Sequence, residues 1–332
     1  MTGQDEMLSK IGVVIIGRNE GDRLRRCLDS VRGIAGRVVY VDSGSTDGSA
    51  AMARAMRVTV VDLDTCIPFT AARARNAGLQ CLRETRPGLP YVQFIDGDCE
   101  LVEGWLEKAA AFLEAHPDVA VVAGRRRERH PERSIYNTFC SIEWDTHPHG
   151  EARSCGGDAM MRVEALAAVN GYRPDLIGGE EPELCIRLRT ANWRIWFLDD
   201  ELTLHDAAMT RFSQWWNRAL RGGYAEAQGA TLHGARPEYF CMRELVRTWF
   251  WALGVPAATL AILPWFGMWA LGLLLLYPLQ IVRLAVRGQR SAHDNCWHAT
   301  FLVLAKFPEM LGQLKFARDR CFRRQARLIE YK

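Results

Sequence analysis

The sequence predicts an α/β fold, a mostly parallel sheet with helices on both faces, followed by membrane-associated helices at the C-terminal end. Three observations carry this. Short apolar runs of strand length alternate with stretches of helical spacing from Ile11 to Ala123, the pattern of successive βα units. Acidic residues recur at the ends of the strand-like runs, at Glu20, Asp42, Asp47, Asp96 and Asp98, where open parallel sheets bind their ligands. An uncharged run from Trp249 to Val282 exceeds the ~20 residues that one membrane-spanning helix needs.

The 332 residues suffice for one large domain or two modest ones. A formal net charge of +3 is too small to argue for nucleic acid as a partner. The ten cysteines are scattered, with no Cys-x-x-Cys pair and no His/Cys cluster, which offers no zinc site and suits a reducing compartment. Met1–Lys10 is polar and has no apolar signal segment.

Ile11–Ile16 is a continuous apolar run and reads as a central strand. Gly17–Gly21 is a turn, and Leu24, Cys27, Leu28 and Val31 give 22–31 helical spacing. Arg37–Val41 is the next strand, ending in Asp42-Ser-Gly-Ser-Thr-Asp47-Gly48, and Thr46 or Asp47 caps a helix to about Met56. A strand at Val58–Val61, a helix at 68–83 and a strand at Tyr91–Ile95 follow, then a helix at 104–115 and a strand at Val119–Ala123. The charged stretch Arg125–Arg133 reads as a solvated surface loop or an extended excursion. Cys155-Gly-Gly-Asp158 precedes a helix at 163–169, and Glu180-Glu181-Pro182-Glu183 opens another through about Thr190. Proline and acids suit a first helical turn. Trp193–Leu198 reads as a returning strand, followed by Leu202–His205.

Asp96-Gly97-Asp98 is the centre of the pattern. At the end of a strand, residues two apart point to the same side, so two carboxylates lie together and repel unless a cation sits between them. Their hard oxygens suit Mg²⁺ or Mn²⁺, and Gly97 leaves the backbone open to a ligand.

These residues resemble glycosyltransferase family 2, whose members share the GT-A fold, over roughly the first two-thirds of the chain. Val14-Ile-Ile-Gly-Arg-Asn-Glu20 resembles the family's opening strand and turn, and Val41-Asp-Ser-Gly-Ser-Thr-Asp-Gly48 its nucleotide loop. Ala74-Arg-Asn-Ala-Gly78 is similar to the segment that meets the donor diphosphate, and Asp96-Gly-Asp98 stands where the family has its metal-binding Asp-x-Asp. Gly156-Gly-Asp158 is similar to the segment beside the donor sugar, and Gly179–Arg187 to the helix with the family's Glu-Asp pair.

The resemblance implies an inverting, metal-dependent sugar transfer from a nucleotide sugar, UDP-linked by expectation. Donor contacts are then expected from Gly17, Asn19, Glu20, Asp42, Asp47, Arg75, Asn76, Asp96, Gly97, Gly157 and Asp158. Asp42 either accepts the imide N–H of uracil or forms its own turn. Arg75 either holds a phosphate or is an exposed helix residue. Asp98, Asp96 and His205 are the expected holders of a Mn²⁺ or Mg²⁺ ion. The base is Glu181 by alignment, with Glu180 as the other register. Aspartate is usual at the second position of the pair, so Glu181 departs from the family by one methylene, a difference that bears on catalytic geometry.

In the C-terminal third, Arg211–Arg221 is basic and aromatic, and Trp215 and Trp216 either line an acceptor channel or lie at a membrane interface. The Gln-x-x-Arg-Trp motif of processive polysaccharide synthases is absent. Prolines 256, 264 and 278 interrupt the 249–282 run, and arginines flank both ends, so a short hairpin or re-entrant pair with both ends cytoplasmic fits better than one crossing. Trp297–Phe316 and the basic tail through Arg327 read as an interfacial amphipathic segment, with a core helix of the catalytic domain as the rival reading.

The expectation is thus a catalytic domain at 1–235 and a membrane-associated region at 236–332, on the cytoplasmic face of a bacterial inner membrane. Its partners would be a nucleotide-sugar donor, a lipid-linked glycan acceptor and the membrane. A polyprenyl-phosphate monosaccharide synthase and a non-catalytic membrane scaffold are the alternatives.

Overall fold

The computed structural model describes residues 3–144, 149–324 and 328–330; Arg327 lies outside them. The described residues divide into two compact units. One comprises those up to His130 and from Trp144 to Ala207, the other Pro131–Glu143 and those from Ala208 onward. The last change of unit along the chain falls near residue 207.

The first unit opens with α1 (Gly3–Ser9), β1 (Ile11–Gly17), α2 (Asp22–Ser30), β2 (Val38–Asp42), α3 (Ser49–Ala55) and β3 (Thr59–Asp62). It continues with α4 (Ala71–Thr85), β4 (Tyr91–Asp96), β5 (Cys99–Leu101), α5 (Trp105–Ala115) and β6 (Val119–Glu128). Beyond α6 (Ile135–Trp144), most of which belongs to the second unit, it ends with β7 (Gly150–Ala152), β8 (Ala159–Arg162), α7 (Val163–Ala168), α8 (Glu180–Thr190) and β9 (Arg194–His205). One sheet runs β3-β2-β1-β4-β8-β6-β9-β5, with β7 also paired to β9. The β3-β2-β1-β4 half is parallel, as βα alternation requires. The other half is mixed, because β8 runs antiparallel between β4 and β6, and β5 and β7 run antiparallel to β9.

The apolar runs sort by strand alternation. Ile11, Val13 and Ile15 of β1 join the core on one face, with Leu24, Leu28 and Trp105. Val14 and Ile16 join the core on the other, with Leu79, Leu82 and Phe94. A fully buried side chain of this kind contributes roughly 1.5–3 kcal/mol, which is why the run has no polar side chain. Helix α4 lies directly on β1, since a Cβ at Gly78 would come within 2.3 Å of Val14 Cγ1.

Of the two readings of the charged stretch, 125–128 take the extended one, as the second half of β6 paired in parallel to 201–205 of β9. Its charges are balanced across strands: Arg125 meets Asp199 at 3.6 Å and Arg127 meets Glu201 at 2.8 Å, while Arg126 and Glu128 turn to the other face. Pairing of this kind stabilises a strand whose sequence alone also reads as a solvated loop. It also carries β9 unbroken through Asp199-Asp200-Glu201.

In the second unit α9 (Phe212–His233) packs closely on α14 (Lys306–Cys321). A Cβ at Gly223 would lie 2.0 Å from the Glu309 carbonyl oxygen, and one at Gly312 the same distance from that of Leu220. The 297–316 segment expected at an interface therefore forms α13 (Ala292–Leu304) and α14, and α14 buries one face on α9. Trp215 is 1 % exposed, its ring packed on Phe301 and Phe212, so it has no face free for a sugar. Trp216 is partly exposed.

The apolar run reverses direction. Helices α10 (Met242–Trp249) and α11 (Val255–Phe266) lead to Gly267, whose φ of +53° ends α11, and a 3₁₀ stretch over Gly267–Leu275 leads into α12 (Leu276–Val286). The Tyr277 hydroxyl donates to the Trp251 carbonyl at 2.6 Å; a straight helix would hold those residues ~39 Å apart. At the tip Trp265, Phe266, Met268 and Trp269 are 61–90 % exposed.

Candidate active site

The site lies at the carboxyl ends of β1, β2 and β4, where β5, β6, β8, β9 and the start of α8 bring further polar residues. A φ of +74° at Gly179 turns the chain into α8, so Glu180 and Glu181 open a helix whose N-terminal dipole favours anions.

Arg75 of α4 is the hub. Its guanidinium is 2 % exposed and meets Asp96 Oδ1 at 2.9 Å, Glu180 Oε1 at 2.9 Å and Glu181 Oε1 at 2.8 Å. It is buried rather than on the surface, and its charge is shared by three carboxylates. Burial, then Glu180, push the Glu181 carboxyl up to about 7, against the pull of Arg75. With 13 % of its side chain exposed against 8 % for Glu180, Glu181 is the more accessible acid, poised to exchange a proton near neutrality. Gly157 makes room for the cluster, since a Cβ there would lie 2.5 Å from Arg75 Nη2 and 2.9 Å from Asp96 Oδ2.

A second guanidinium, Arg126, meets Asp158 at 2.8 Å and Asp96 at 3.4 Å and lies over the Trp144 ring. Asp158 also accepts hydrogen bonds from the Asp96 backbone N–H at 2.9 Å and the Thr203 hydroxyl at 2.8 Å. Asp158 is thus a buried counter-ion to Arg126. Asn76 is tied inward as well. Its side-chain amide donates to the Tyr172 carbonyl at 2.7 Å and accepts from the Tyr172 N–H at 2.9 Å, which pins the chain ahead of α8.

The nucleotide-loop residues hold one another. Asp42 accepts from the Tyr40 hydroxyl at 2.9 Å and from the backbone N–H groups of Gly44 and Ser45 at 3.0 and 2.7 Å. It is thus a turn former, with room for about one further donor among its roughly four lone-pair positions. Asn19 accepts from the Thr46 N–H at 2.8 Å, and Asp47 accepts from the Ser49 N–H at 3.0 Å. Glu20 pairs with Arg23 at 2.8 Å. Gly17 and Gly97 allow close packing at this corner: a Cβ on Gly17 would lie 3.2 Å from Glu20 Cγ, and one on Gly97 3.1 Å from the Ile16 carbonyl oxygen.

Beside this lies a metal-compatible group. In the sheet register His205 is the partner of Cys99 on β5 and of Glu128 on β6. Asp98 Oδ2 is 3.2 Å from His205 Nε2, with both side chains buried, and ligand atoms of Asp98, Cys99 and His205 all lie within 4.8 Å of one another. Burial lowers the imidazole's affinity for a proton, against the hydrogen bond to Glu128, leaving it neutral as a ligand must be. This donor set fits a divalent cation. Asp96, also expected there, already faces two guanidinium groups.

Residues 12–169 match the Glycosyl transferase family 2 model. The succinoglycan biosynthesis protein ExoA of Rhizobium meliloti is 26% identical over 217 residues, 59% of this chain and 63% of that protein. The pre-mycofactocin glycosyltransferase of Mycobacterium tuberculosis is 29% identical over 231 residues, 65% of this chain and 46% of that protein. The chain thus spans under two-thirds of the length of either relative. Among solved structures, the mannosyltransferase PcManGT of Pyrobaculum calidifontis, in complex with GDP-Man and Mn²⁺, superposes with a TM-score of 0.62 at 19% identity, over 94% of this chain and 88% of that one. Glucosyl-3-phosphoglycerate synthase of M. tuberculosis, in complex with Mn²⁺ and UDP-Glc, gives 0.50 at 16%, over 70% and 83%. The fold is GT-A.

Sequence reasoning missed Tyr40, Arg126, Glu128 and Thr203. The one available signal was the Arg125–Glu128 alternation, whose period of two matches a strand.

Proposed function

We propose that this chain is an inverting glycosyltransferase that moves a sugar from a nucleoside-diphosphate sugar to an acceptor hydroxyl. The observation that carries the reading is Glu181, an accessible carboxylate held 2.8 Å from Arg75 with its proton affinity near neutrality. In this reading Glu181 takes the acceptor's proton as the hydroxyl oxygen bonds to the anomeric carbon. The nucleoside diphosphate departs from the opposite face, so the configuration inverts. Arg75 fixes the position of Glu181, with Glu180 as the neighbour that raises its basicity. Asp98 and His205 would hold Mn²⁺ or Mg²⁺, which neutralises charge on the leaving diphosphate when bound. The remaining acceptor position on Asp42 supports a uracil imide and hence a UDP-sugar.

We further propose a lipid-linked glycan as acceptor, with Trp216 lining its path, at the cytoplasmic face of a bacterial inner membrane. An 18-residue window of the 242–287 stretch, with mean hydropathy 1.9 and 11% of it buried, supports membrane attachment. Its chain reversal after Gly267, which brings the Tyr277 hydroxyl to the Trp251 carbonyl, supports a hairpin with both ends on one side.

The test is calorimetric UDP binding to the full chain in detergent, with and without Mn²⁺, followed by sugar transfer. Asp98→Ala should abolish the metal-dependent part of binding. Glu181→Gln should keep binding and lose about 10²–10⁴ in turnover. Transfer to bare polyprenyl phosphate rather than to a lipid-linked glycan would reassign the acceptor. Absence of UDP binding, with GDP or dTDP bound instead, would overturn the donor.

A further inference from the structure

We infer that Glu128 is a positioning residue for metal binding: it fixes the His205 ring so that Nε2 faces the cation shared with Asp98. The inference rests on the metal reading of Asp98 and His205. Its basis is the strand register. β9 carries His205 between β5 and β6, and both neighbours place a carboxylate against the ring. From the β5 side Asp98 approaches Nε2 at 3.2 Å, and from β6 Glu128 approaches Nδ1 at 3.5 Å. The Glu128 side chain is fully buried, where an ionised carboxylate is costly without compensation.

Two backbone N–H groups supply that compensation and hold the carboxylate still. His130 N donates to Oε1 at 3.1 Å and Ala207 N donates to Oε2 at 3.1 Å. The backbone closes around them, with the Arg129 N–H donating to the His205 carbonyl at 2.8 Å. Trp144 packs edge-on against the imidazole at 4.3 Å between ring centres, which limits its rotation. Glu128 is therefore placed to accept a hydrogen bond from the Nδ1–H group from a fixed direction. With the proton there, the Nε2 lone pair and Asp98 Oδ2 face each other at 3.2 Å without a hydrogen between them. Two acceptors so placed in a buried site repel, and a cation bound by both relieves the repulsion. Two carboxylates and a neutral imidazole also balance the charge of a dication.

The experiment is Mn²⁺ titration of the full chain with UDP present, followed by the electron paramagnetic resonance signal of free Mn²⁺. It compares wild type with Glu128→Gln, Glu128→Asp and His205→Ala. A parallel measurement records the Nδ1 proton of His205 in ¹⁵N-histidine-labelled, Mg²⁺-loaded protein. The expected results are Mn²⁺ affinity weaker by about 10–100-fold in Glu128→Gln, a smaller loss in Glu128→Asp, and a downfield, exchange-protected Nδ1 proton in wild type that moves upfield in Glu128→Gln. If His205→Ala weakens binding while Glu128→Gln binds Mn²⁺ as wild type does, the positioning role is refuted and the metal reading stands. If His205→Ala binds as wild type, the metal reading itself fails. Should Glu128→Gln not fold, the wild-type spectrum still decides: an unprotected Nδ1 proton, or none, overturns the inference.

Discussion

Replacing Arg75 by methionine would keep the volume of its stem and remove the one charge that faces Asp96, Glu180 and Glu181 together. A unit charge ~4 Å from a carboxylate is worth about 4 kcal/mol at an effective dielectric of ~20. The gross attraction to three carboxylates is therefore large, but the cost of burying the guanidinium disappears with it. Breaking a buried pair costs about 3–5 kcal/mol net, and that is the loss expected near pH 8. The loss should shrink at lower pH, because the stranded carboxylates can take up protons.

The sign follows from Glu181. Its folded-state value of about 7 lies above its ordinary 4.5, so between those values the native state holds a proton that the unfolded chain has released. Stability then falls as pH rises through that window. Arg75 pulls the value down, so the variant's value lies higher and its decline extends above pH 7. Thermal unfolding at pH 5, 6, 7 and 8 measures this. At about 2–4 °C per kcal/mol for a domain of this size, the variant should melt ~6–20 °C below wild type at pH 8 and much closer to it at pH 5. A difference that is absent, or the same at every pH, would refute the idea that Arg75 balances these acids.

Asn76→Ala removes both side-chain hydrogen bonds to Tyr172 and should cost about 2–3 kcal/mol of stability while UDP affinity holds; a tenfold loss of affinity without a change in melting would return Asn76 to the donor. At the hairpin tip, Trp265 and Trp269 are 78 % and 90 % exposed. Changing both to lysine, at up to about 2.5–3.5 kcal/mol for each charge brought to mid-bilayer depth, should cut co-sedimentation with anionic vesicles at least about tenfold, and unaltered sedimentation would mean that the tip does not enter lipid.

The β1, β2 and β4 strands were legible because a strand buried on both faces must be continuously apolar, and Ile11–Ile16 is. The acids at their ends were legible for the complementary reason, since charge beyond an apolar run has to sit at the sheet's edge. What composition and spacing do not carry is the partner. Arg126 and Glu128 read as solvated because their compensation comes from Asp158 and from the backbone at Ala207, residues 32 and 79 positions away. The hydrogen bonds of Asn76 and Asp158 run inward to Tyr172, Asp96 and Thr203, a direction set by long-range pairing that spacing does not carry.

The same distinction locates the cation demanded by Asp96-Gly97-Asp98. Two neighbouring carboxylates do need positive charge, but the two are served differently. Asp96 has it from the protein, with Arg75 at 2.9 Å on one oxygen and Arg126 at 3.4 Å on the other. Asp98 faces His205, with Glu128 behind the ring. In the proposed reading the metal is therefore held at Asp98, while Asp96 is tied through Arg75 to Glu180 and Glu181. Asp98→Asn should accordingly remove metal-dependent UDP binding. Asp96→Asn should instead strengthen the hold of Arg75 on Glu181, lower the carboxyl's value from about 7, and move the acid limb of the rate profile to lower pH.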